Sequence, residues 1–422
     1  MREKLSSTFR AFRNRNYALF FTGQSISQIG TWMQRTAISW VVYSMTDSTF
    51  MLGLTIFASQ FPSFLFSLYG GIVSDRYDRF KILLITQIAS MIQAIVLAVL
   101  VFTGQYDVWQ ILALGVVLGI INAFDVPARQ PLIHEMVNDK SELSNAIALN
   151  SSMVNLAKLI GPALSGLVLQ QFGAGVCFFI NALSFVAVLI SLLLMKFPAF
   201  TPPTVKKKML SELTAGFRYL KRTPHIAMIL LLLTSVSLLV MPYDTLIPVF
   251  AKVIFKGDAA TFGYISSFIG LGALAGTLFL ASLKAGTDLK KVLLANTLLL
   301  GIALICFSYT SYFPLTMVFA ILASFGAMAQ TTICITIIQI DTEASMRGRV
   351  ISYVAMAVFG MLPLGSLLIG TVSQQIGTQT TMLFQGIIAL IITAVFFRFI
   401  KSDKLNKKDM EQLQKAEEAE AS

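Results

Sequence analysis

Charge is scarce in this sequence. Only 13% of its 422 residues are Asp, Glu, Lys or Arg, against about 25% in an ordinary soluble domain. That shortage excludes a water-soluble fold and points to a chain that crosses a membrane many times. Histidine is nearly missing. His134 and His225 fall in or beside segments outside the apolar runs, so no histidine relay is expected within the membrane. Cysteine is also sparse. Cys177, Cys306 and Cys334 lie inside apolar stretches and share no metal-ligand spacing; they read as buried free thiols, with no metal and no cofactor expected. A Gly-Lys dipeptide occurs nowhere, so the phosphate-binding loop of an ATPase is absent. Energy must come from an ion gradient, from the gradient of the substrate itself, or from a separate ATPase. No nucleophile, base and metal set clusters in the sequence, and an enzyme is not expected.

Long apolar runs are what the chain has instead, with 56% hydrophobic residues and a mean hydropathy of +0.75. Twelve spans are predicted at 17–45, 50–74, 82–103, 107–130, 146–171, 174–195, 225–251, 260–283, 291–310, 314–340, 348–372 and 379–400. Each is near the length of about 20 residues that a helix needs to cross a bilayer. The runs are continuous rather than alternating, which excludes a porin-type barrel. The 32 lysines and arginines set the orientation. With the N-terminus inside, only Lys252 and Lys256 fall on the outer side, and only Arg35 and Lys158 fall within spans away from their cytoplasmic ends. The positive-inside rule then puts both termini in the cytoplasm of a multi-pass inner (plasma) membrane protein. The net charge of +11 is a topology signal facing anionic lipid, not a nucleic-acid footprint. No cleavable leader is expected, because the first span is too long for a signal-peptide core.

The longest internal loop, 196–224, carries Pro198, Pro202, Pro203 and Lys206-Lys207-Lys208 and divides the spans six and six. This predicts an N-terminal six-helix bundle (1–195), a cytoplasmic linker (196–224), a C-terminal six-helix bundle (225–400) and a charged cytoplasmic tail (401–422) that is frayed helix or disordered. A repeat links the halves. Gly166-x3-Gln170-Gln171-x-Gly173 recurs as Gly370-x3-Gln374-Gln375-x-Gly377, at the end of the fifth span of each half. Met33-Gln-Arg35-Thr36 is loosely echoed by Met241-Pro-Tyr-Asp244-Thr245.

Between the second and third spans lies Gly71-Ile-Val-Ser-Asp75-Arg76-Tyr-Asp78-Arg79-Phe-Lys81, a tight cluster of charge in a charge-poor chain. It resembles the loop 2–3 motif of the major facilitator superfamily, Gly-x3-Asp-Arg-x-Gly-Arg followed by two basic positions. Here Asp78 replaces the second glycine and Phe80 one basic residue. Asp-Arg-x-Asp-Arg, Pro127-Ala-Arg129-Gln130, Glu142-Leu-Ser-Asn145-Ala-Ile-Ala-Leu-Asn150-Ser151 and Arg347-Gly348-Arg349-Val350 are similar to the subgroup that includes enterobactin exporters and macrolide efflux proteins. The resemblance covers residues 10 to 400. It implies an all-α membrane fold of two pseudo-symmetric six-helix bundles working by alternating access. It also implies that Gly71, Asp75, Arg76 and Arg79 form a latch with the start of helix 11, near Arg347, when the outer side is open. The alternative is a solvated turn. In the same fold a helix 4 aspartate joins the loop arginine, so Arg79, Asp125 and Arg129 are expected in one network, with proton coupling as the other role for Asp125.

Further candidates come from position. Gln24, Gln28, Trp32, Arg35 and Ser39 recur at helical steps and share one face of helix 1; Asn122 shares a face with Asp125 and Arg129. Arg35 lies about 27 Å above Tyr17 along a straight helix and is expected either to pair with Asp244 across the outer mouth or to snorkel. Lys158 lies about 18 Å into helix 5, on one face with Asn155 and Ser151, where a charge is costly. It suits an anionic substrate or a structural ion pair. Gly161-Pro162-Ala-Leu-Ser-Gly166 resembles the helix 5 motif of proton-coupled antiporters, without its upstream glycine; plain helix packing is the other reading. Substrate or proton contacts are therefore sought at Gln24, Gln28, Arg35, Asn122, Asp125, Arg129, Asn155, Lys158 and Asp244. Together these features predict a monomeric secondary transporter that exports a small amphipathic molecule, drug-like or siderophore-like, by proton antiport. An importer or facilitator of a small organic solute is the alternative.

Overall fold

The computed structural model describes residues 10–137, 140–196, 209–284 and 286–420. The predicted proline-rich part of the linker, 197–208, lies outside them. The chain forms α1 (Arg15–Thr46), α2 (Thr49–Arg76), α3 (Arg79–Thr103), α4 (Val108–Met136), α5 (Lys140–Phe172), α6 (Ala174–Leu193), α7 (Pro224–Ile254), α8 (Ala259–Ala281), α9 (Leu289–Tyr309), α10 (Phe313–Asp341), α11 (Arg347–Ile376) and α12 (Thr378–Glu420). An amphipathic helix, Met209–Arg222, precedes α7. No strand occurs among the described residues. Helices satisfy most of their backbone donors and acceptors internally, which a lipid environment demands. All of the twelve except α1 are apolar enough as well as long enough to cross a bilayer. α1 is the exception because it carries Gln24, Gln28, Gln34 and Arg35, of which Gln24 and Gln34 are buried in protein.

Helix ends are marked chemically. Ser48 accepts from the Met51 amide at the start of α2, and Asp258 and Thr261 form a capping box on α8. Asp78 accepts from the Phe80 amide at 3.0 Å. The aspartate that replaces a glycine in the loop motif thus caps α3.

The packing repeats between the halves. In the first half α1 packs on α5 and α6, α2 on α4, and α3 on α4 and α6. In the second half α7 packs on α11 and α12, α8 on α10, and α9 on α10 and α12. The halves meet through α5 against α8 and α2 against α11, a pair that maps onto itself under the same exchange. Prolines shape these crossings. Pro131 cannot donate to the Pro127 carbonyl, and Ser74 of α2 donates to it instead at 3.0 Å. Pro162 likewise frees the Lys158 carbonyl, and Gly270 of α8 lies against it: a Cβ there would stand 2.7 Å from that oxygen.

Two helices are irregular: α11 has a π-helical turn at Met356–Gly360, and α7 departs further. Its α-helical geometry stops at Leu239; Met241–Leu246 is 3-10, with Pro242 at ψ 15°, and Phe250–Ile254 is π-helical. The continuous span expected over 225–251 is therefore broken in its middle. α12 runs past the predicted end at 400 and stays helical through Glu420.

Candidate functional site

Two sides can be defined by the chain ends: the termini side, and the far side, where α1 meets α2 and α7 meets α8. The far side is shut. Gly166 at the end of α5 rests on the start of α8, where a Cβ would stand 2.8 Å from the Ala259 carbonyl oxygen. Gly370 of α11 meets α2 in the same way, 3.1 Å from Gly53 Cα. One turn further on, Gln170 donates to Asp258 at the N-cap of α8. Gln374 accepts from the Thr49 amide (2.9 Å) and the Ser48 hydroxyl (3.0 Å) at the start of α2. The repeat closes on Gly173 and Gly377, which turn the chain at φ 81° and 86°, a region glycine occupies without cost. Each residue type in the repeated Gly-x3-Gln-Gln-x-Gly motif, the second glutamine aside, thus has a visible job. Lys252 of α7 adds an ion pair to Asp47 at 2.7 Å and lies over the Tyr43 ring at 5.3 Å.

The termini side lacks such contacts between α2 and α11. Asp75 is exposed and, among the described residues, pairs only with Arg79, at 3.6 Å. Arg79 reaches Glu135 at 2.6 Å; it does not join Asp125, so the expected three-member network divides into two. Arg76 and Arg347 are exposed. Gly71 has open space above it. The start of α11 packs on the Met209–Arg222 helix, with Arg349 and Tyr353 beside Gly216. Glu142 and Asn145, from the Glu142–Ser151 motif, hold the N-terminal segment: Glu142 accepts from Asn14 (2.8 Å) and Asn145 from the Ala11 amide (3.1 Å).

Asp125 is buried and fully engaged. It accepts from Thr86 (2.9 Å) and Gln87 (2.8 Å) and pairs with Arg129 at 3.1 Å. Arg129 also reaches Gln24 at 3.4 Å. Asn122 and Gln28 are half-buried, and Asn155 is buried.

Arg35, Lys158 and Asp244 form the second polar focus. Arg35 and Asp244 are exposed and Lys158 partly so, although protein surrounds all three; they line a wet cavity deep in the bundle. Their charges interact, yet no direct ion pair joins Arg35 or Lys158 to Asp244. Both cations lie over the Trp32 ring, the Arg35 guanidinium 5.2 Å and the Lys158 ammonium 5.7 Å from its centre. Gly161 allows this, since a Cβ there would stand 2.5 Å from Trp32 Cβ. The two glycines of the helix 5 motif thus face different neighbours, Gly161 the first helix and Gly166 the opposite half. Most hydroxyls on α2 and α10 donate to their own helix, as with Ser59, Ser67, Thr331 and Thr336, which leaves them only acceptor capacity for a ligand. Sequence reasoning missed Thr86 and Gln87 as partners of Asp125, and the pairing of Lys252 with Asp47. Gln170 and Gln374 were signalled by the repeat, but not their partners.

Two related six-helix bundles around a wet, charged cavity define a membrane carrier. The profile of the transmembrane secretion effector family matches residues 6–422, and the chain belongs to that family, within the major facilitator superfamily. It is similar to the staphyloferrin A transporter of Staphylococcus aureus, 27% identical over 92% of this chain and 96% of the relative. It is also similar to the multidrug efflux pump Tap of Mycolicibacterium fortuitum (21%; 85% and 89%) and to the enterobactin exporter EntS of Escherichia coli (27%; 82% and 81%). Among solved structures, a POT family transporter in complex with 5-aminolevulinic acid superposes with a TM-score of 0.71 over 92% of this chain and 96% of that one, at 12% identity. A bacterial Spinster homologue in an inward-facing conformation gives 0.67 over 90% and 96%, at 15%. These likenesses establish the fold. The protein is a multi-pass membrane transporter of small molecules, not an enzyme.

Proposed function

We propose that this protein exports a small amphipathic molecule of the drug or siderophore kind by alternating access, coupled to proton entry, as a monomer with both termini in the cytoplasm. The halves 1–195 and 225–400 rock about the central cavity. The observation that carries this reading is the asymmetry of the inter-half contacts: glycine-to-backbone approach and cross-half bonds at the far side and, among the described residues, none between α2 and α11 at the termini side. Such a cavity opens to one face at a time only if those contacts exchange. Asp75 and Arg79 are then held within the first half in this state, by each other and by Glu135, and latch onto the start of α11 in the other. Asp75→Asn is expected to change stability by less than about 1 kcal/mol, as an exposed pair should. Transport is expected to slow several-fold, since the lost contact belongs to one state only; unchanged transport at equal expression would remove the latch.

Proton exchange is assigned to Asp244, the carboxylate open to the cavity, and not to Asp125, whose oxygens are occupied. Everted vesicles with an imposed pH gradient test both assignments. Gradient-driven uptake of a macrolide, dye or catecholate siderophore establishes export, and Asp244→Asn abolishes the response to the gradient. Uptake indifferent to the gradient would instead identify a facilitator.

A further inference from the structure

A charged cluster at the centre of a bilayer protein needs a reason. Here it has an unusual composition: two cations on one indole, with one carboxylate nearby. Arg35 and Trp32 come from α1 and Lys158 from α5, both in the first half; Asp244 comes from α7, in the second. The carboxylate sits inside the 3-10 segment Met241–Leu246, and Lys158 sits where Pro162 interrupts the hydrogen-bond ladder of α5. Interrupted helices expose backbone groups to a cavity at the level of the bilayer core, which is tolerated where that cavity holds polar occupants. The carboxylate lies within electrostatic range of both cations without closing an ion pair on either. With two cations and one carboxylate, the trio carries one surplus positive charge when all three are ionised.

We propose that Arg35, Lys158 and Trp32 bind a flat, anionic group of the cargo, an aromatic or conjugated carboxylate or similar oxyanion, and that Asp244 is its built-in competitor. The guanidinium offers paired donors to an oxyanion, the ammonium a mobile point charge, and the indole a surface for the attached ring. An arriving anion compensates the surplus positive charge and takes over the cations from the carboxylate of the opposite half. Occupancy of the site therefore weakens an attraction between the halves, which links loading to their movement. This proposal rests on the transport reading but not on its direction.

The chain has three tryptophans, which makes the site readable. In a Trp40→Phe, Trp109→Phe background Trp32 is the sole reporter in the purified protein. The probe is benzene-1,3,5-tricarboxylate, with the neutral triamide of the same ring as control. Saturable quenching of Trp32 by the tricarboxylate at millimolar concentration or below, and none by the triamide, is expected. Lys158→Gln and Arg35→Gln should each weaken binding by about tenfold, the scale of one charge in a partly wet site, and Lys158→Arg should restore it. Asp244→Asn should tighten binding several-fold, an outcome that a merely structural role for the trio does not produce. Equal quenching by both compounds, no quenching by the tricarboxylate, or weaker binding in Asp244→Asn overturns the proposal. Because the assay uses no gradient and no vesicle, its failure leaves the export reading standing, and failure of vesicle transport leaves this site standing.

Discussion

Gly166→Val is expected to reduce transport by about 100-fold while the protein still folds and inserts. The added Cβ would stand 2.8 Å from the Ala259 carbonyl oxygen and 3.0 Å from Gly263 Cα, both backbone atoms. Backbone cannot rotate away as a flexible side chain does. Overpacking of this kind costs about 1–3 kcal/mol, and the chain has a cheap escape: it leaves the far side open. The cost falls on one conformational state, so it appears as a population shift of tenfold or more, compounded by loss of the adjoining Gln170–Asp258 bond. Gly370→Val should behave alike, because its Cβ would stand 2.5 Å from the Thr49 carbonyl oxygen at the symmetry-related crossing. The check has two readouts. Transport is measured at matched expression, and Gln28→Cys, in a background where Cys177, Cys306 and Cys334 are Ala, is labelled with an impermeant thiol reagent applied from the far side. Labelling should rise in both valine variants. Unchanged transport with unchanged labelling would mean that the far-side glycine contacts are not part of the cycle.

The spans were legible because apolar burial accumulates locally. A run of twenty apolar residues marks a helix whatever it packs on, and the ends at Thr49, Ala174 and Phe313 lie within a residue or so of those expected. The break in α7 was not legible in the same way. Pro242 and Pro248 hint at it, but α2, α4 and α5 also contain proline and remain helical. Whether a proline bends or breaks a helix depends on what satisfies the freed carbonyl, as Ser74 does for Pro127, and that is a tertiary fact. The same holds for the charges. Periodicity put Gln24, Gln28, Trp32 and Arg35 on one face of α1, yet it could not show that Arg79 prefers Glu135 to Asp125. Nor could it show that two cations contributed by different helices meet at the Trp32 ring. Contacts across the two halves are hardest of all to read, because they differ between conformational states of one sequence. The repeated glycine and glutamine were the part of that interface that left a trace in the sequence.

Asp125→Ala should destabilise the protein by about 3 kcal/mol, the low end of what breaking a buried ion pair costs. The carboxylate is only 4% exposed and serves three partners at once: Thr86, Gln87 and Arg129. Its removal strands Arg129 with a single 3.4 Å contact to Gln24. It also leaves Gln87 with no partner at all, since Gln87 Oε1 already lacks one. Unsatisfied groups of this kind cost about 1–3 kcal/mol each, offset here because Arg129 is about one-quarter exposed and recovers some hydration. Asp125→Asn keeps an acceptor for Thr86 but loses the ion pair, and should fall between alanine and the native protein. Thermal unfolding in detergent, followed by tryptophan emission, measures the order native, Asn, Ala. The transport consequence separates this aspartate from the one in the cavity. A residue that braces α3 against α4 affects the rate equally at every pH, whereas a residue that carries the coupled proton changes the shape of the pH profile. A uniform fall in Asp125→Asn, beside a lost gradient response in Asp244→Asn, would assign bracing to one aspartate and coupling to the other. A flattened profile in Asp125→Asn with unaltered thermal stability would reverse the two.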